Sequence, residues 1–261
     1  MAKQILIGAD IEYFLRSSSG EIISAEGIIL GTKHRPYNFD ASNKYFATSL
    51  DNVLAEHCIP PVANVNDWVS HILKSQKYIE SLEEGISVAA IPSARLSEKW
   101  LQTEQAKLFG CEPDYNAWES GQPNPRPESA DSTLRSAGFH VHIGYPDPNF
   151  LQTIKYMKAF DIYVTLPSLL IEPENERRQL YGKAGAFRPK DYGMEARTLS
   201  SYFASSEQLM RWVFNQTEMA ISNVGEIADV VSMFDIKNII NNVDLEQAQD
   251  VCNYLDISIA A

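Results

Sequence analysis

The sequence predicts an α+β fold with a mainly antiparallel sheet. Two observations predict it. Strand-like segments with two-residue alternation stand at the start, the middle and the later part of the chain. The helical patterns between them do not alternate with strands in a βαβ rhythm. The 261 residues suit a single domain over 1–261, with a sizeable core supported by 44% hydrophobic and 10% aromatic content.

Gln4 to Leu15 is alternating, β-branched and aromatic-rich, which predicts a strand. Arg16 to Gly20 is a turn, and Glu21 to Ala25 is a candidate returning arm. Tyr45 to His57 reads as a strand interrupted near Asp51-Asn52 and ended by Pro60-Pro61. Asn66 is a candidate N-cap for a helix through about Glu84, with Gly85 as its C′ residue. Ile86 to Ile91 is a short apolar strand, and Ser97 to Leu108 a short helix. Residues 112–135 are proline-rich and aliphatic-poor, which predicts a long loop, a candidate cover for an active site.

Ala137 to Tyr145 is the next strand. Asp147-Pro148 reads as N-cap and N1 of a helix to about Thr165. Gly182 to Tyr192 is a loop, Met194 to Phe203 a strand, and Glu207 to about Met233 one long helix. Asp244 caps a last helix to about Leu255, so residues 204–261 form a helical C-terminal part.

Three of the strands carry polar pairs two residues apart: Asp10 and Glu12, His140 and His142, Glu195 and Arg197. Residues i and i+2 share one face of a strand. If the three strands share a sheet, one face gathers three carboxylates, two imidazoles and a guanidinium. Asp10 and Glu12 are flanked by apolar residues, as in a central strand. Two buried carboxylates repel unless a cation lies between them, and a divalent metal is the simplest one. In Gly138-Phe139-His140-Val141-His142-Ile143-Gly144, one imidazole can bind metal and the other can donate to phosphate. Asp51 and Glu56 are a less regular acidic pair, and Asp51 also reads as a turn residue. Arg177, Arg178, Lys183, Arg188, Lys190 and Arg197 make a local basic cluster. The glycines between 182 and 185 suit a tight loop presenting Arg188 to a phosphate.

The net charge of −12 disfavours a general nucleic-acid or anionic-membrane surface. Cys58, Cys111 and Cys252 do not form a disulfide or zinc pattern. With no leader pattern before the first strand and no apolar run of membrane length, a cytoplasmic setting is expected. Walker A, Gly-x-Gly-x-x-Gly and Gly-x-Ser-x-Gly motifs are missing.

Together the segments Gly8 to Leu15, Gly138 to Gly144 and Glu195-Ala196-Arg197 resemble, in the same order, strands of the glutamine synthetase superfamily. Within it the chain resembles the phage-type carboxylate–amine (COOH·NH2) ligases of the glutamine synthetase and glutamate–cysteine ligase group. Supporting segments are Asp51 to Glu56, Phe109 to Asp114 and Arg177 to Arg188. The resemblance implies a glutamine synthetase-like catalytic domain, a mainly antiparallel curved sheet with helices packed on one face. It implies ATP and Mg²⁺, with Mn²⁺ as a substitute, and an amide-forming ligase working through an acyl-phosphate. Glu12 and Glu56 would hold one metal with Asp10 nearby, and Asp10, His140 and Glu195 a second. His142 would contact a phosphate, with Arg177, Arg178, Lys183 and Arg188 among the nucleotide-binding groups. Arg188, Arg197 and Glu56 would be the catalytic groups. Asp10 stands where the family more often has Glu. The partners would be a carboxylate and an amine, as small molecules or peptides. A phage-encoded protein would then act in the host cytoplasm. Other readings of the same residues are a non-catalytic nucleotide- or metal-binding or virion-associated descendant, and a metal-dependent hydrolase.

Overall fold

Alternating apolar residues along the first strand, β1 (Leu6–Arg16), make it the spine of the sheet. The computed structural model describes residues 5–107, 114–125, 131–172 and 176–259. After β1 come β2 (Ile22–Ile23), β3 (Gly31–Thr32), β4 (Arg35–Asn38), β5 (Ala47–Asp51) and β6 (Leu54–Cys58). Then follow α1 (Val65–Glu80), β7 (Ser87–Ala89), β8 (Ser93–Arg95), α2 (Glu104–Lys107), β9 (Tyr115–Asn116), β10 (Gln122–Pro123) and β11 (Leu134–Ser136). The second half holds β12 (Gly138–Gly144), α3 (Phe150–Phe160), α4 (Leu166–Ile171), α5 (Arg177–Leu180), β13 (Ala186–Lys190) and β14 (Gly193–Ser200). Four helices close the chain: α6 (Glu207–Ser222), α7 (Ile227–Met233), α8 (Ile236–Asn242) and α9 (Leu245–Tyr254).

The middle of the sheet runs β13-β14-β12-β1-β6-β5, with every neighbouring pair antiparallel. β9 and β10 extend it beyond β13, while β3 and β4 extend it beyond β5. The fold is α+β, with helices packed on one face of a mainly antiparallel sheet. That face carries Ile7, Ala9, Ile11 and Tyr13 of β1, Phe139 and Val141 of β12, and Ala196 and Leu199 of β14. These meet α1, α3, α4, α6, α8 and α9 in one continuous core. On the opposite face a smaller apolar cluster around Phe14, Leu54, Leu96 and Ala137 covers one end. The polar residues lie beside it on the same face.

Several boundaries differ from those the sequence predicts. Asn64, not Asn66, caps α1, accepting from the Asp67 N–H at 2.9 Å. Asn149, not Asp147, caps α3, and Asp147 instead takes a left-handed turn at φ 47°. Both corrections have one cause: an acceptor must sit three residues before a free N–H, and two candidates lay close together. The expected single helix from Glu207 to Met233 breaks at Asn223 to Gly225, where Asn223 Nδ2 donates back to the Met219 carbonyl. Between α3 and α4 the chain widens into a π-helical turn, Asp161–Thr165, just before Pro167, which has no N–H to donate. The Tyr45–His57 strand is a hairpin, with Asn52 at φ 57° in its turn. Of the expected 112–135 loop, Tyr115 and Asn116 are a strand paired with β13, and 134–136 pair with β8. Residues 112, 113 and 126–130 lie outside the described residues.

Candidate active site

Alternation and register together build the polar face. Asp10 lies opposite His140 on one side and Cys58 on the other. Glu12 lies opposite Glu56, and Glu56 opposite Ser49. His142 lies opposite Glu195, and Glu195 opposite Arg188. The three dyads therefore share one sheet and one face.

The face has an acidic end and a basic end. At the acidic end, one ligand atom each from Glu12, Glu56 and His140 lie within 4.8 Å of one another. Burial pushes the Glu12 carboxyl up to about 7, helped by the Asp51 charge, although the Gly138 N–H donates to Glu12 Oε2 at 2.5 Å. Burial likewise lifts Glu56 to about 8, reinforced by Asp10 and Asp51. Lys33, 2.6 Å from Asp51, offsets this in part. Burial, and after it the Arg197 guanidinium, hold the His140 imidazole well below its usual value. A neutral imidazole beside two under-neutralised carboxylates is a donor set suited to a divalent cation.

At the basic end Glu195 touches the Arg197 guanidinium, lies 2.7 Å from Lys190 Nζ and 3.7 Å from Arg188 Nη1. Burial would raise this carboxyl, but Arg197, the two histidines and Lys190 bring it well below the carboxylate range. His140 Nδ1 is 3.7 Å from Glu195, so His140 borders both ends. Asp10 Oδ2 is 3.0 Å from His142 Nε2, and the Tyr192 hydroxyl meets His142 Nδ1. Burial would raise the Asp10 carboxyl, yet His142 draws it below its usual value. The set Asp10, His140 and Glu195 is thus adjacent in the ladder but less tightly gathered than Glu12, Glu56 and His140.

The other basic residues separate. Arg177 is 3% exposed and donates to the Thr198 carbonyl at 3.0 Å and the Arg197 carbonyl at 3.3 Å. These carbonyls lie at a β-bulge, where β14 shifts register against β12 between Phe139 and Val141. Glycine at 138 and 182 makes room: a Cβ at Gly182 would lie 2.8 Å from Arg177 Nη1 and 2.7 Å from the Thr198 carbonyl. Arg178 is placed with Ser168 and Glu172. Lys183 is exposed on the Gly182–Gly185 loop.

Sequence reasoning passed over several members of this face. Cys58 obeys the same two-residue rule, following Glu56, and bonds Asp10. Burial holds the Cys58 thiol well above its usual value. Tyr192, in the β13–β14 turn, and Asp114, 3.5 Å from Arg197 Nε, arrive through tertiary packing that carries no local signal.

Part of the strand set that builds this face lies in a stretch with a known sequence pattern. Residues 131–236 match the family model described as Phage phiEco32-like COOH.NH2 ligase-type 2. That stretch holds β12, β13 and β14, and so both histidines, Arg188, Glu195 and Arg197. No curated protein matches the chain. Among solved structures, the chain is similar to a bifunctional glutathione synthetase from Pasteurella multocida, at 12% identity and TM-score 0.49, over 97% of this chain and 47% of that one. It is also similar to the Plasmodium falciparum glutamine synthetase, at 11% identity and TM-score 0.40, over 85% of this chain and 52% of that one. The chain spans about half the length of each. Among the described residues no helix is long and apolar enough to cross a membrane.

Proposed function

We propose that the chain is an ATP-dependent carboxylate–amine ligase that forms an amide through an acyl-phosphate. One observation carries this reading: an under-neutralised acid–imidazole set, Glu12, Glu56 and His140, abuts a cationic set, Arg188, Lys190 and Arg197, on a single sheet face.

A carboxylate and an amine at neutral pH form a salt, so the carboxylate oxygen must become a leaving group. Transfer of the γ-phosphoryl group to that oxygen releases ADP. The amine nitrogen, after giving up its ammonium proton to solvent, then forms the C–N bond as the C–O bond breaks; phosphate leaves with the electron pair and takes the second proton from nitrogen. Charge accumulates on phosphoryl oxygens during the first step. In this reading Arg188 and Arg197 would spread it, supported by their contacts with Glu195 on the same face. Glu12, Glu56 and His140 would hold a divalent cation, Mg²⁺ or Mn²⁺. When bound it supplies Lewis-acid neutralisation of phosphate oxygens. Asp10 orients His142, whose imidazolium form would face phosphate. The small apolar cluster around Phe14 and the segment carrying Asp114 flank the face and would limit water reaching the acyl-phosphate. The substrates in this reading are small-molecule or peptide carboxylates and amines.

Titration calorimetry of ATP with and without Mg²⁺ tests the reading, followed by ADP release against panels of amino acids, peptides and polyamines. Metal-dependent heat and amine-dependent ADP release are expected, both lost in Glu195→Ala and Glu12→Gln. Full turnover in Glu195→Ala would overturn the site, and absence of metal-dependent heat in the wild type would overturn the activity.

A further inference from the structure

Asp161 is fully buried on the helix side of the sheet, within the π-helical turn. A buried carboxylate is costly unless several donors meet it. Its Oδ2 accepts from Trp118 Nε1 at 2.6 Å and from the Gly185 N–H at 2.6 Å. These donors belong to two segments that both lead to guanidinium groups of the site. Gly185 precedes β13, which carries Arg188. Trp118 belongs to a strap that also carries Asp114.

The strap continues the connection through polar side chains. The Ala117 N–H donates to the Gly185 carbonyl at 2.9 Å. Asn116 Oδ1 accepts from the Trp118 N–H at 2.9 Å, and its Nδ2 donates to Asn124 Oδ1 at 3.2 Å. Asn124 Nδ2 donates in turn to Asp114 Oδ1 at 2.8 Å. The other Asp114 oxygen faces Arg197 Nε at 3.5 Å. Gly185, at φ 79°, allows the close approach: a Cβ there would lie 2.6 Å from Asn116 Oδ1 and 2.8 Å from Trp118 Cδ1.

We propose that Asp161 is a positioning residue for Arg197: anchored on the far side of the sheet, it sets the strap whose Asp114 holds the guanidinium in the site. The anchoring stands on this geometry; its consequence for phosphoryl transfer rests on the ligase reading above.

The test uses the full chain and the Arg197 Nε–H resonance, assigned by its loss in Arg197→Lys. In Asp161→Ala that resonance should shift and exchange with water at least tenfold faster, and Asp114→Ala should do the same. Adding Asp161→Ala to Asp114→Ala should change the signal no further, because both act through one contact. Trp118→Phe removes one donor and should move the signal in the same direction. An unchanged Arg197 resonance in Asp161→Ala, or shifts that simply add in the double variant, overturns the proposal. Should Asp161→Ala not fold, Trp118→Phe decides: an unmoved resonance there overturns it equally. Calorimetry of ATP with Mg²⁺ on wild type stands apart. Its failure counts against the ligase reading and leaves the resonance to judge Asp161.

Discussion

Asp10 and His142 meet diagonally across the β1–β12 ladder, carboxylate Oδ2 to imidazole Nε2 at 3.0 Å. Burial alone would lower the His142 pKa, and Asp10 more than reverses that. In Asp10→Asn the burial effect is left unopposed by Asp10, so the imidazole should titrate below its wild-type value. The His142 Hε1 shift followed by NMR measures this. A wild-type titration retained in Asp10→Asn would break the link between the two residues.

Glu12, Glu56 and Asp161 have folded pKa values of about 7, 8 and 7, all raised by burial above their unfolded values near 4. The folded state therefore binds more protons than the unfolded state between those limits. Stability contributed by the protonated forms is present below pH 4 and lost as pH rises through 7 to 8. The melting temperature of metal-free protein should fall between pH 6.5 and 8. Saturating Mg²⁺ or Mn²⁺ should restore more of it at pH 8 than at pH 6, since cation and proton compete for the same carboxylates. Equal restoration at both pH values would count against Glu12 and Glu56 as ligands.

His57 is fully buried against the Tyr13 ring at 5.3 Å, and among the described residues neither ring nitrogen has a hydrogen-bond partner. Burial lowers its pKa to about 3. An unpaired buried polar group costs roughly 1–3 kcal/mol. His57→Phe should accordingly raise stability by about 1 kcal/mol or more in denaturant titration. It should also remove a stability loss that grows as pH falls from 6.5 towards 3, where the unfolded histidine takes up a proton and the folded one does not.

Arg177 and Arg188 should respond oppositely to removal. Arg177→Met leaves two buried bulge carbonyls without their guanidinium donor, at roughly 1.5–3 kcal/mol per charged hydrogen bond. It should lower the melting temperature strongly. Arg188→Met, at a half-buried ion pair, should leave stability nearly unchanged and weaken ATP binding in the presence of Mg²⁺ at least tenfold. Thermal melts beside calorimetry separate the two.

The polar dyads were legible in the sequence because period-two alternation is a local property, and Asp10, Glu12, His140, His142, Glu195 and Arg197 all reach one face by it. Strand adjacency was not. That β1 lies between β12 and β6, setting Asp10 between His140 and Cys58, depends on pairing across 48 and 130 residues. The role of Arg177 was equally hidden, since a buried arginine serving bulge carbonyls reads the same as one awaiting phosphate. Helix caps were located within two residues at α1 and α3, because several Asn and Asp side chains offered the same acceptor. Asp161 carried no sign of burial at all: its neighbours Trp118 and Gly185 are tens of residues away.

The bulge in β14 solves a parity problem. The core needs Ala196 and Leu199 on one side, an even and an odd position that an uninterrupted strand must send to opposite sides. Alternation alone carries Thr198 to the Thr165 hydroxyl on the helix side and keeps Arg197 with Glu195; the extra residue at Arg197-Thr198 then changes the count, so Leu199 returns to the core side. The strand is thereby divided into two reading frames. The bulge thus separates the register of Ser200, which leads into the helical end, from that of Glu195, which belongs to the site.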